Sequence, residues 1–333
     1  MSNGSAERGN LISDPRVVLL SGPDQRADSC AWSPSGNLGA TVHGGTCVLW
    51  DLHTGAATVR CATGRLVRDI AFDGSGRRIM VLDDHSVSAW SGERGNYEGV
   101  VVLANGYQML SIGGYYLAAW QPDRCLLQPM RRDVLDPIEF QERWKAVVLS
   151  ADGLLTWFLW SDGVVAAHTG AGSAHRIAEF PLVCEGRDRS IVCALQGRRA
   201  VVCCGGHVHV FDCDAPERQR ERMWALTDPI HAATWLWGGR ALLLAHGASR
   251  DASRLCGIDV ATGFPFWRSS AHTLQQVTAF ASAPDGHRVL LNAALVTPFS
   301  ASDAERFGAT VLDFGDPPSS LGGSLHWSDA SFG

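Results

Sequence analysis

The sequence predicts an all-β protein: a single seven-bladed β-propeller of four-stranded antiparallel blades, its ring closed by an N-terminal strand. Three observations predict it. First, Ser29-Cys30-Ala31-Trp32-Ser33-Pro34-Ser35-Gly36 aligns with Asp69-Ile70-Ala71-Phe72-Asp73-Gly74-Ser75-Gly76 at an offset of 40 residues, and the same offset carries Val48-Leu49-Trp50-Asp51 onto Ser88-Ala89-Trp90-Ser91. Both segments read strand, glycine-containing turn, strand, turn, strand, which is an antiparallel meander. Second, similar turns recur at Gly113/Gly114, Gly153, Gly197, Gly238/Gly239 and Gly286. The spacing drifts between about 37 and 48 residues, that of a propeller blade with loop insertions. Third, Arg16-Val17-Val18-Leu19-Leu20 is an apolar strand with no blade of its own. Two separate β-sandwiches would not repeat at so constant a spacing.

The blades follow as 26–62, 64–102, 104–140, 143–180, 186–225, 228–269 and 271–314. The last contains three strands. Pairing Arg16–Leu20 beside Thr310-Val311-Leu312-Asp313-Phe314 supplies its fourth and removes the exposed edges of an open ring. One propeller is therefore expected over 16–315, flanked by a flexible N-terminus (1–15) and a flexible Gly/Ser/Pro-rich tail (316–333).

Composition narrows the function classes. The chain has 333 residues, 46% of them hydrophobic and 19% charged, with a formal net charge of −6. That apolar fraction excludes wholesale disorder. No run reaches the roughly 18 apolar residues of a membrane span. Basic and acidic residues are mixed along the chain, leaving no basic face for a phosphate backbone, so nucleic acid is not an expected partner, and neither is a membrane. Lys145 is the only lysine among 28 basic residues. The N-terminus has no signal-peptide core. Cys30, Cys47, Cys193, Cys203 and Cys204 lie in apolar strand-like runs, where reduced cysteine acts as a small hydrophobe. No Cys-x-x-Cys pair marks a zinc site. A reduced, cytoplasmic protein is expected.

Ala31-Trp32-Ser33-Pro34-Ser35-Gly36, Val48-Leu49-Trp50-Asp51 and the following Thr54-Gly55 resemble the WD40 repeat, with Phe211-Asp212, Ile258-Asp259 and Leu312-Asp313 as weaker blade closers. The resemblance covers roughly residues 16–315 and is faintest in the third blade. It implies a rigid platform that binds a peptide or protein. No Gly-His dipeptide opens the blades, so the family's Asp-His-Ser-Trp hydrogen-bond network is not expected intact, and stability should rest on packed apolar strands.

The remaining motifs read as structure. Ile258-Asp259-Val260-Ala261-Thr262-Gly263-Phe264-Pro265-Phe266-Trp267 resembles the tryptophan-docking motif of quinoprotein propellers, yet the same Asp-x-x-Thr-Gly turn follows Trp50. His207-Val208-His209 puts two imidazoles on one strand face, without a visible third ligand. His246, Ser249, Asp251 and Ser253 lack a nucleophile elbow, and no phosphate-binding loop surrounds Lys145. Asp83-Asp84-His85 and Asp162-Gly163 suit capped turns. Glu217–Arg222 reads as a solvated connector. Trp157 and Trp160 should point to opposite faces, and Trp235 and Trp237 to the same one. No cofactor and no metal are expected.

In a propeller the connections between the second and third strands share a face with those between blades. Two of the former are long here, about His246 to Arg254 and about Pro298 to Gly308, in adjacent blades. Long loops on a rigid scaffold carry function. The expected binding residues are Arg250, Asp251, Arg254, Phe299, Asp303, Glu305 and Arg306. The alternative is a small-molecule enzyme of lyase, cyclase or hydrolase type, using His43, His85, His246 and Asp251 at the central channel.

Overall fold

The computed structural model describes residues 14–21, 27–103, 105–114, 116–121, 123–130, 138–140, 146–150, 152–159, 163–169, 176–181, 191–196, 198–213, 224–248, 253–273, 277–293, 295–296, 307–319 and 321. It is an all-β propeller of antiparallel blades, with no α-helix among the described residues. The strands, in chain order, begin with β1 (Arg16–Ser21). Sheet one is β2 (Ser29–Trp32), β3 (Leu38–His43), β4 (Thr46–Asp51) and β5 (Ala56–Ala62); sheet two is β6 (Val67–Phe72), β7 (Arg78–Asp83), β8 (Ser86–Ser91) and β9 (Tyr97–Leu103). Sheet three is β10 (Met109–Gly113), β11 (Tyr116–Gln121), β12 (Arg124–Pro129) and β13 (Ile138–Phe140). Sheet four is β14 (Ala146–Leu149), β15 (Leu155–Leu159), β16 (Gly163–His168) and β17 (Arg176–Pro181). Sheet five is β18 (Ile191–Gln196), β19 (Arg199–Cys204), β20 (His207–Asp212) and β21 (Trp224–Ala225). Sheet six is β22 (Ile230–Leu236), β23 (Ala241–His246), β24 (Arg254–Asp259) and β25 (Pro265–Thr273). After β26 (Phe280–Ser282) and β27 (Arg288–Leu291) comes β28 (Leu295–Val296), which joins sheet six as a fifth strand, and then β29 (Phe307–Asp313).

Among the described residues, six sheets are thus built on runs of consecutive strands, sheet six with β28 added. The seventh is composite: its order is β1-β29-β27-β26, with Arg16 opposite Asp313 and Leu20 opposite Ala309. The first strands of the sheets touch in a cycle, β2 to β6, β10, β14, β18, β22, β26 and back to β2.

Strand alternation sends successive side chains to opposite faces, so each sheet fills two seams. Cys30, Trp32, Val48 and Trp50 pack against Leu290 and Val311 between sheets one and seven. Ala31, Val42 and Leu49 pack against Ile70, Phe72 and Ile79 between sheets one and two. Such apolar seams recur around the molecule, and burial of this kind stabilises by about 25 cal/mol per Å².

The turn glycines that mark the repeat have a steric cause. The turns joining first and second strands stack from sheet to sheet. A Cβ on Gly113 would run into the Ser150 carbonyl, and one on Gly153 into the Gly113 carbonyl. Only hydrogen fits there.

Buried polar groups stitch the seams. Asn292, wholly buried, donates to the Ala27 carbonyl at 3.0 Å and accepts from the amides of Thr278 and Ala279 at 3.1 Å. It ties sheet seven to the entry of sheet one. Although no intact Asp-His-Ser-Trp network was expected, a Trp-Thr-His hydrogen-bond chain forms in sheet one. Trp50 Nε1 donates to Thr41 Oγ1 at 2.8 Å, which lies 2.9 Å from Nε2 of buried His43. The histidine comes from β3 itself, two residues after Thr41, so no Gly-His dipeptide is required. In sheet two, Trp90 donates to Ser88 at 2.9 Å.

Two further expectations are corrected. Trp235 and Trp237 do not share a face. The strand ends at Leu236, and Trp237 enters a 3-10 turn with φ 47°. That turn sends Trp235 into the seam with sheet five and Trp237 into the seam with sheet seven. Cys204 is disulfide-bonded, so the cysteines are not uniformly reduced. Separately, Leu321 is buried in the core cluster that contains Trp237, and its carbonyl accepts from Arg240 at 3.2 Å.

Candidate interaction face

Each sheet runs down, up, down, up. The ends of β23 and β25 and the start of β24 therefore lie at one edge, on the face that carries the connections between sheets. Along that edge of sheet six a single ladder row runs Ile230, His246, Arg254, His272, Val296. The row joins the two long connections. Arg254 closes the one between β23 and β24, and Val296 belongs to the one between β27 and β29. The segment Leu295–Val296 pairs with the outer edge of β25 at His272 and Thr273.

Arg254 is exposed and forms no ion pair with any described residue. A guanidinium held on a strand offers its planar donor fork to a carboxylate or carbonyl at low entropic cost. Beside it His246 Nδ1 lies 3.6 Å from Asp228. Burial pushes the His246 pKa below the usual histidine value, against the pull of Asp228 and with the help of Arg254 and Arg268. The imidazole is thus biased toward its neutral form. His231 Nε2 contacts the Gly247 carbonyl at 2.8 Å, and Gly247 donates to the Pro229 carbonyl at 3.0 Å, which pins the start of the sheet-six connection. Its other end is held where buried Ser253 Oγ accepts from Val277 at 3.0 Å.

Of the residues expected from sequence, Arg254 stands at this edge. Arg250, Asp251, Phe299, Asp303, Glu305 and Arg306 lie outside the described residues. The histidines of the catalytic alternative fall on three different sheets. His43 is committed to the Thr41 hydroxyl that also accepts from Trp50, and His85 sits in a turn whose amide, with that of Ser86, is capped by Asp83 Oδ1 at 2.8 Å. Asp162 and Glu217–Arg222 are outside the described residues. Among those described, no group of three His, Cys, Asp or Glu is placed to hold a metal. His209 is buried and stacks on Phe211 with ring centroids 6.3 Å apart. The Asp259 turn is a local cap, accepting from Ala261 at 2.8 Å and Thr262 at 3.0 Å, as Asp51 accepts from His53 and Thr54.

The same face carries a polar cluster on sheet three that sequence reasoning missed. Arg124 lies over the Tyr107 ring at 4.8 Å and donates to the Asn105 carbonyl, while the Tyr107 hydroxyl donates to Glu139 at 3.4 Å. Burial, with Glu139 beside it, pushes the phenol up to about 12. This sheet departs furthest from the repeat, so its residues had no aligned counterpart to point to them.

No protein-family model and no curated protein matches the chain. Solved structures match in number, 1468 chains, so the fold is widely shared and does not narrow the function. One is the crystal structure of a mitotic checkpoint complex, with TM-score 0.64 and 15% identity over 94% of each chain. At that identity the likeness is one of fold, the β-propeller.

Proposed function

We propose that this chain is a non-enzymatic, WD40-like interaction scaffold: seven sheets forming the seven blades of one ring, closed by β1, and binding a peptide or protein through the long connections of sheets six and seven. The observation that supports the reading is the ladder row from Arg254 through His272 to Val296, which sets the end of the first connection and one described segment of the second in the same sheet. Arg250, Arg254 and Arg306 would grip carboxylates or carbonyls of the partner. Asp251, Asp303 and Glu305 would take its cations or amides, and Phe299 would give an apolar anchor of the kind enriched at binding hot spots. That the structural neighbour is itself a protein complex is consistent with this use.

The test is affinity capture from native lysate with the wild type and with the triple variant Arg250→Ala, Arg254→Ala, Arg306→Ala. A protein retained by the wild type and lost from the variant supports the reading. Small molecules co-purifying with the wild type, and no protein, would favour a ligand-binding enzyme instead.

A further inference from the structure

The outer strand of sheet two differs from the other outer strands. β9 pairs with β8 on one side only, and no described strand covers its other edge. Its sequence is Tyr97-Glu98-Gly99-Val100-Val101-Val102-Leu103. Two register shifts alter its alternation, so that Tyr97, Val100 and Leu103 stand opposite Trp90, Ser88 and Ser86. Those three partners are alternate residues of β8 and share one face. The bulges thereby line up Tyr97, Val100 and Leu103 as a single stripe, 56%, 51% and 73% exposed. Among the described residues no other outer strand carries more than one exposed large apolar side chain. A long apolar edge is a template for another strand, and proteins ordinarily shorten, charge or cover it.

The molecule shows how such an edge is used. Sheet six also has a twice-shifted outer strand, and there the edge is covered by a fifth strand, Leu295–Val296, at His272 and Thr273. His272 stands opposite Arg254, the first residue of β24; Leu103 stands opposite Ser86, the first residue of β8. Leu103 therefore holds in sheet two the place at which sheet six accepts its fifth strand.

We propose that β9 is a strand-addition site for an extended apolar segment of a partner protein, which pairs with the backbone at Val100–Leu103 and packs on the stripe of Tyr97, Val100 and Leu103. The occupant's chemistry is taken from the chain's own fifth strand: neighbouring Leu and Val in extended conformation, without charge. Backbone pairing supplies affinity in this mode, and alternate side chains supply specificity. The site is separate from the edge of sheet six and does not depend on it.

The probe is a synthetic peptide with the sequence of residues 292–298, acetylated and amidated, at millimolar concentration. Hydrogen exchange is followed on the full chain in the wild type, in the variant Val100→Lys/Leu103→Lys, and in Arg254→Ala. Both lysines replace exposed side chains, so an unchanged melting temperature confirms that the variant is folded. The proposal expects slowed exchange over Val100–Leu103 in the wild type and in Arg254→Ala, and at least tenfold weaker binding to the lysine variant. Unprotected β9 amides in the wild type, or equal protection in the lysine variant, would overturn it. So would sedimentation showing a wild-type dimer that the lysine variant abolishes, because the edge would then belong to a second copy of the chain.

Discussion

The Ser29 hydroxyl donates to the Asp69 carboxylate at 2.7 Å across the boundary between sheets one and two, and the other carboxylate oxygen accepts from the Leu110 amide of sheet three at 2.9 Å. One buried side chain on β6 thus joins the innermost strands of three successive sheets. It also accepts from the Ile70 amide at 2.9 Å. Asp69→Ala would strand these donors without water. At roughly 1–3 kcal/mol for a buried unsatisfied group, we expect a loss of about 3 kcal/mol, read as a lower denaturant midpoint at unchanged slope.

The same residue gives a pH signature. Burial holds the Asp69 pKa above the ordinary value, against the downward pull of its three hydrogen bonds. A carboxyl with a raised folded pKa binds its proton more tightly in the folded chain, so its contribution is full below the ordinary value of 3.8 and declines as pH rises through the folded value. Asp285 behaves oppositely: burial alone would raise its pKa, but the Arg288 side chain and the His287 and Arg288 amides together lower it, and its contribution is lost as pH falls. The stability of the wild type relative to Asp69→Asn should therefore fall as pH rises above 3.8. A difference that is constant with pH would contradict the assignment.

Thr41→Val tests the network of sheet one. The side chains are nearly the same shape, but the substitution removes both the acceptor of Trp50 Nε1 and the neighbour of His43 Nε2. A cost of about 1–3 kcal/mol is expected, with a change in Trp fluorescence. Ser88→Ala should cost less, because Trp90 is only partly buried.

Asn292→Leu tests the seam between sheets seven and one. It removes the donor to the Ala27 carbonyl and the acceptor of the Thr278 and Ala279 amides. We expect at least about 2 kcal/mol of destabilisation. Faster hydrogen exchange should appear in β1 and β29 before β14–β16. Uniform loss of protection would place the weakness elsewhere.

Gly113→Ala should destabilise by about 1–3 kcal/mol, as overpacking does, because the Ser150 carbonyl occupies the place of the new methyl. This steric demand explains why the repeat was legible. The turns of neighbouring sheets stack backbone on backbone, so glycine recurs where the side chains around it vary. The strands were legible from their apolar runs, which fill the seams on both faces.

Other features left no such trace. Trp237 continues the strand pattern in sequence but leaves the strand with φ 47°, and nothing in the residue type announces it. His43 was hidden because it reaches Trp50 through a threonine two residues before it. Leu295–Val296 is too short for an alternating pattern, so its pairing as a fifth strand emerges only in three dimensions. The bulges of β9 are equally silent, since they change which side chains share a face without changing composition.

The most direct test of the central claim is photo-crosslinking on sheet six, with benzophenylalanine placed in turn at Arg254 and at Phe264. The two positions lie at opposite ends of β24 and its turn, and both side chains are exposed. A partner seated on this edge gives a protein adduct from position 254 and none from position 264. An adduct from position 264, where Arg254 is intact, would contradict that seating.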